Sequence, residues 1–204
     1  MDPETIISRL SGRTPSILGS EQFLKYAVLL PLIQKEDGLH VLFEVRSLEL
    51  RRQPGEVCFP GGKVDPNDQT EKEAAIRETM EELGIDKEQI LKVFPLDYMV
   101  HSVNTMLFPF AGFIDDPLRI RPNLTEVAEI FTVPLSFFFH TKPEIYHVNL
   151  LPVPEENFPY ELLVGGQDYK WQIRKMDEYF YRYENRVIWG LTAKILTHFI
   201  DLIR

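Results

Sequence analysis

The sequence predicts an α/β (α+β) sandwich around a mixed, largely non-parallel sheet, with extra helices at both ends, and three observations carry that prediction. Short strand-like runs dominate the chain, punctuated by 15 prolines. One central helix carries capping residues at both of its ends. An apolar pattern at helical spacing closes the chain.

The elements follow in order. Residues Glu4 to Leu24 open with Ile6, Ile7 and Leu10 as a short leading helix that stops before Gly12 or Pro15, so 1–24 is expected to be a peripheral extension. Tyr26 to Ile33 and Leu39 to Arg46 form an expected antiparallel pair around Asp37-Gly38, a favoured hairpin turn. A basic loop from Arg46 to Pro54 leads to a short strand at Glu56 to Phe59 and a Pro-Gly-Gly turn. The helix Thr70 to Leu83 is the best marked element: Thr70 and Glu73 form a capping box, and Gly84 sits where a left-handed C-terminal cap belongs. Strands are expected at Leu91 to Leu96, Met99 to Val103, Met106 to Ile114 and Ala128 to Val133, with a turn at Ser102-Val103-Asn104. A further hairpin is expected from Tyr160 to Val164, through Gly165-Gly166, to Tyr169 to Ile173. The final helix is expected from about Arg186, with Ile188, Leu191, Ile195, Phe199 and Leu202 on its apolar face.

Composition limits the function classes. With 204 residues and 44% of them hydrophobic, the chain suits a single domain spanning 1–204 with a sizeable core. Its 31 acidic against 22 basic residues give a net charge of −9, which disfavours nonspecific nucleic-acid binding. No apolar run reaches the roughly 18 residues of a membrane span. The single cysteine, Cys58, cannot form an internal disulfide. Neither a signal peptide at Met1-Asp2-Pro3-Glu4 nor a peroxisomal tripeptide at Leu202-Ile203-Arg204 is evident, so the expected location is cytoplasmic.

The chemistry concentrates in Arg77-Glu78-Thr79-Met80-Glu81-Glu82-Leu83-Gly84-Ile85. Glu78, Glu81 and Glu82 stand at i, i+3 and i+4, on one face of the helix, where like charges repel by about 0.2 to 0.5 kcal/mol per pair. Charge runs of this kind are ordinarily a solvated face. Here a strand end and glycine turn, Phe59-Pro60-Gly61-Gly62-Lys63, stand immediately upstream, and converging hard oxygens suit Mg²⁺ or Mn²⁺.

These residues resemble the signature of the Nudix hydrolases, G-x5-E-x7-R-E-U-x-E-E-x-G-U, at Gly62, Arg77, Glu78, Glu81, Glu82, Gly84 and Ile85, a turn and helix over 62–85. Two features depart: the spacing from Gly62 to Arg77 is one residue longer, and Thr79 takes an aliphatic position. Counting back from Arg77 puts Gln69 at the first glutamate, with Asp65 and Asp68 close by. The coenzyme A pyrophosphatase branch is similar further upstream, in the pattern L-L-T-x-R-S-x3-R-x3-G-x3-F-P-G-G. Leu42, Arg46, Ser47, Arg51, Gly55, Phe59, Pro60, Gly61 and Gly62 match it, while Phe43 and Glu44 replace its second Leu and its Thr.

The resemblance implies an α/β/α sandwich and metal-dependent cleavage of a diphosphate bond, giving 3′,5′-ADP and 4′-phosphopantetheine from coenzyme A. It further implies Glu78, Glu82 and Glu81 as metal ligands together with the Gly62 carbonyl, with Arg77 orienting the glutamates. The general base is either Glu126, in the loop before the strand at Ala128, or Glu78 itself. Arg46, Arg51 and Lys63, with Gly61 beside them, are the expected contacts to substrate phosphates. The alternatives are another nucleoside diphosphate derivative as substrate, such as NADH, ADP-ribose or a nucleoside triphosphate, and a nucleotide-binding module without turnover.

The remaining features keep ordinary roles. Cys58 reads as a small buried hydrophobe, and the five histidines show no metal-ligand spacing. Tyr179-Phe180-Tyr181-Arg182-Tyr183 lies among acidic residues and reads as core or interface packing rather than a nucleic-acid stacking stripe. The last helix is expected to be a lid on the core or a homodimer contact.

Overall fold

The run of leucines, valines and phenylalanine between residues 24 and 46 folds as the expected hairpin, β1 (Leu24–Lys35) and β2 (Gly38–Arg46), and supplies the centre of the sheet. Both strands are apolar on both faces because helices cover both. Leu29, Ile33 and Leu42 pack to one side, and Leu30, Leu32, Val41 and Phe43 to the other. The computed structural model describes residues 2–101 and 104–204. Before the hairpin, α1 (Pro3–Leu10) is capped by Asp2, whose carboxylate accepts from the Thr5 amide at 2.9 Å, and contributes no buried residue.

Around the hairpin stand β3 (Val57–Cys58), β4 (Gly61–Lys63), β5 (Ile90–Pro95), β6 (Met99–His101), β7 (Thr105–Ile114) and β8 (Val127–Pro134), an eight-stranded sheet with the main order β3-β2-β1-β7-β5. β1 and β7 run parallel from Leu24↔Thr105 to Ile33↔Ile114, and the other pairs are antiparallel, so the sheet is mixed as expected. The turn expected at Ser102-Val103-Asn104 rests on Ser102 and Val103, which lie outside the described residues.

Helix α2 (Glu71–Leu83) covers one face through Ala74, Ala75 and Leu83. The opposite face carries α3 (Leu135–His140) and α4 (Gly190–Ile203), which bury Phe138, Ala193, Ile195, Leu196, Phe199 and Ile200. The result is an α/β/α sandwich. Each fully buried Leu, Ile or Phe on these faces contributes about 1.5–3 kcal/mol over an exposed one.

Several expectations need correction. Residues 160–173 form no hairpin; they hold two short 3₁₀ turns, Tyr160–Leu162 and Gly166–Asp168. A three-stranded sheet flanks them instead, β9 (Glu144–Leu150), β10 (Arg174–Tyr183) and β11 (Arg186–Trp189), whose order is β11-β10-β9. The last helix therefore begins at Gly190, with φ +61°, and not at Arg186. Ile188 matches the helical period only because both β11 and α4 turn apolar residues toward the same core. The expected Pro-Gly-Gly turn is the start of β4, hydrogen-bonded to β1 through Val28↔Gly61 and Tyr26↔Lys63. The aromatic stretch 179–183 lies in β10, and Tyr181 enters the core edge-on to Phe138, with ring centroids 5.2 Å apart.

Candidate active site

The site is assembled by the ends of α2. At its start the Thr70 hydroxyl accepts from the Glu73 amide at 3.2 Å, while the Glu73 carboxylate reaches back to the Gln69 amide at 3.0 Å. At its end Gly84 takes φ +59°, and any Cβ there would overlap the Arg121 carbonyl oxygen. The helix thus has fixed limits, and its two alanines let it lie close on β1.

Arg77 ties the helix to the glycine segment. Its guanidinium grips Asp68 through two hydrogen bonds, Nε to Oδ1 at 3.0 Å and Nη2 to Oδ2 at 2.9 Å. It also donates to Glu78 Oε1 at 2.9 Å, to Glu81 Oε2 at 3.3 Å and to the Lys63 carbonyl at 3.2 Å. These bonds raise the Arg77 pKa, and the same hydrogen bonds hold the Asp68 carboxyl below the usual range. Asp68, rather than Gln69 or Asp65, is therefore the acid that partners Arg77. The extra residue between Gly62 and Arg77 hides this in the spacing.

The three signature glutamates occupy different environments. Glu82 is 5% exposed, and its Oε2 accepts from the Gly61 amide at 2.7 Å. Burial pushes its carboxyl up to about 8 against that hydrogen bond, and Glu78 and Glu126 add to the rise. Glu78 is half-buried, and burial raises it too, against the opposing pull of Arg77. Glu81 is turned to solvent, with 55% of its side chain accessible, and touches only the rim of the cluster through Arg77. At Gly62 any Cβ would overlap the Glu78 carboxylate, so a larger residue there would displace that carboxylate from its place against the strand.

The loop before β8 brings Glu126 to the same place. The Asn123 amide donates to the Glu82 carbonyl at 2.9 Å, and its side-chain amide donates to Glu126 Oε1 at 3.3 Å. Asn123 thereby links the end of α2 to Glu126, a role the sequence reading missed. Just past the end of β2, the Ser47 amide donates to the Glu126 carbonyl at 2.7 Å. Arg46, at the end of β2, is close enough for its charge to act on Glu82. Arg51 and Lys63 are exposed on the surrounding loop and strand. Cys58 is mostly buried, and its thiol is pushed far up by burial and then by Glu44, which makes it a poor nucleophile.

The second missed residue is Glu44. It is 1% exposed, and its Oε1 has no hydrogen-bond partner among the described residues. The signal was its place in the sequence, a carboxylate inside an apolar strand where the related pattern has Thr.

This donor set fits a hard divalent cation: carboxylates from α2, a glycine segment pressed against Glu78, and a buried oxygen left unpartnered. Among the described residues no three His, Cys, Asp or Glu side chains are already closed around one point. Glu78 is drawn to Arg77, and Glu82 to the Gly61 amide.

The chain matches the NUDIX domain over residues 24–143. It is 42% identical over 123 residues to the peroxisomal coenzyme A diphosphatase NUDT7 of Mus musculus, covering 60% of this chain but only 51% of that protein. Against an uncharacterized Nudix hydrolase NudL of Photorhabdus laumondii it is 35% identical over 170 residues, covering 83% and 80% of the two chains. Among solved structures, a MutT/nudix family protein from Enterococcus faecalis superposes on 98% of this chain and 68% of its own with a TM-score of 0.52 at 15% identity, a likeness of fold. Nudix hydrolases generally use divalent metal ions, in keeping with the oxygen donors around Glu78 and Glu82. The domain match over more than half of the chain, and the relative aligned over four fifths of both lengths, establish that the chain belongs to the Nudix hydrolase family.

Proposed function

We propose that this chain, acting as one domain over residues 1–204, hydrolyses the diphosphate bond of coenzyme A or its acyl thioesters with Mg²⁺ or Mn²⁺. The products would be 3′,5′-ADP and 4′-phosphopantetheine or its acylated form. The observation that carries the reading is the apposition of Gly61 and Gly62 to the buried carboxylates of Glu82 and Glu78. The substrate reading rests on the pattern from Leu42 to Gly62 and on the mouse relative named as a coenzyme A diphosphatase.

When bound, the metal supplies positive charge to the diphosphate and lowers the pKa of a coordinated water. Glu78, Glu82 and the Gly62 carbonyl would hold it, with Glu81 at the solvent edge. Arg77 keeps Glu78 oriented and couples it to the loop around Asp68. Glu126 is proposed as the general base, since Glu78 already accepts from a guanidinium whereas, among the described residues, the Glu126 carboxylate accepts from the neutral Asn123 amide alone. It takes one proton from the attacking water as the new P–O bond forms and the bridging P–O bond breaks. Arg46 from inside the site, and Arg51 and Lys63 from its rim, would neutralise the phosphates and hold the attack in line.

The proposed location is the cytoplasm. No helix among the described residues is long and apolar enough to cross a membrane, the mouse relative is named peroxisomal, and imaging of the tagged chain decides between the two compartments. Because α4 is packed into the core, a proposed homodimer would pair instead through β9, an exposed strand at the edge of its sheet.

The test is mass-spectrometric product analysis of the purified protein with coenzyme A and either metal, beside a chelator control. Appearance of both products only with metal supports the reading. Intact coenzyme A, with turnover of NADH, ADP-ribose or a nucleoside triphosphate, moves the chain to another Nudix substrate, and binding without any turnover identifies a nucleotide-binding module.

A further inference from the structure

Glu44 has no task in the mechanism above, yet it is the most deeply buried carboxylate near the site. It lies on β2 between Leu42, which packs beneath α2, and Arg46, whose charge acts on the carboxylates; Phe43 takes the opposite face. Strand alternation therefore turns Glu44 toward the α2 side of the sheet. Its cross-strand partners agree. Ile130, opposite it on β8, packs against the apolar cluster under α2, and Cys58, opposite it on β3, feels its charge.

Glu44 and Glu82 are thus both buried on the α2 side of the sheet. Burial raises the Glu44 carboxyl most, the charges of Glu82 and Glu126 add to that rise, and Arg46 opposes it. Glu82 has an amide donor at one oxygen, whereas Glu44 Oε1 has no partner among the described residues. Burying an ionised carboxylate without a donor or cation is strongly unfavourable, and converging carboxylate oxygens are what a hard divalent ion requires.

We propose that Glu44 is a further ligand of the divalent-cation site, so that the ion is held from the sheet by Glu44 as well as from the helix by Glu78 and Glu82. A neutral Thr at this position, as in the coenzyme A pyrophosphatase pattern, would leave the ion with one negative charge fewer. The inference rests on the metal-dependent reading above and is independent of which nucleotide is cleaved.

The test is a Mn²⁺ titration followed by the electron paramagnetic resonance of the free ion, without substrate, on the wild type, Glu44→Gln and Glu44→Thr. Both variants are expected to bind Mn²⁺ about tenfold or more weakly, while Glu161→Gln, on the exposed turn Tyr160–Leu162, stays within about threefold of the wild type. In chelator, Glu44→Gln is expected to melt at a higher temperature than the wild type, because an amide is less costly to bury there than a carboxyl without a partner, and to gain less from added Mn²⁺. A folded Glu44→Gln with wild-type Mn²⁺ affinity overturns the proposal, as does a variant that loses stability in chelator but keeps that affinity. Should the Gln variant fail to fold, the Thr variant carries the same comparison. If the wild type binds Mn²⁺ and spares coenzyme A, only the substrate reading falls; if the wild type binds no Mn²⁺, the metal reading and this inference fall together.

Discussion

The two faces of the central sheet are built to different ends. The α3 and α4 face is aromatic and self-sufficient: Phe43 stacks on Phe59 and Phe131 at 5.2 and 5.4 Å, and Phe138 meets Tyr181 edge-on. Even its buried hydroxyl is satisfied, since Tyr181 and Thr197 share a 3.0 Å hydrogen bond. The α2 face combines small apolar residues, Ala27, Ala74 and Ala75, with the buried carboxylates of Glu44 and Glu82. One face stores stability, and the other buries acidic side chains at a cost. Strain of this kind at a site is tolerable because the far face over-determines the fold.

The comparison is broken most sharply by Glu82→Gln. Turnover should fall by at least about a hundredfold, with the circular dichroism spectrum unchanged and the metal-free protein no less stable. Steady-state kinetics with the best substrate would check it. The mirror experiment is Phe138→Ala, on the opposite face. It should cost about 3–5 kcal/mol in urea unfolding while leaving the turnover of the folded fraction within about twofold.

Gly62→Ala sharpens the distinction from within the site. The added methyl meets the Glu78 carboxylate, so activity should drop about tenfold or more with little change in the melting temperature. A smaller effect follows from the buried acids. The Glu82 carboxyl is raised from an ordinary 4.5 to about 8, so the folded state binds its proton more tightly than the unfolded state does. Its contribution to stability is fully present below about pH 4.5 and is lost as pH rises through 8; Glu78 and Glu44 act with the same sign. The melting temperature in chelator should therefore fall between those pH values, and the gain from added Mg²⁺ should be larger at the upper end.

Legibility in the sequence follows the range of the interactions. The hairpin at Asp37-Gly38 and the helix from Thr70 to Gly84 were readable because their turn and caps are local. The pairing of β9 with β10 was not, since the two strands are joined across residues 151–173 and nothing local marks their register. Gly165-Gly166 instead suggested a hairpin between its own neighbours. In the site, Glu78 and Glu82 announced themselves by helical spacing. Asp68 was obscured by one inserted residue, Asn123 by its distance from α2, and Glu44 because a single acid in a strand carries no periodic signal.

The most direct measurement is the anomalous difference map of a crystal soaked in Mn²⁺. The account predicts an ion bounded by Glu78, Glu82 and the Gly62 carbonyl, between α2 and the glycine segment. An ion held elsewhere, or none at that place in a fully soaked crystal that remains active, would contradict it.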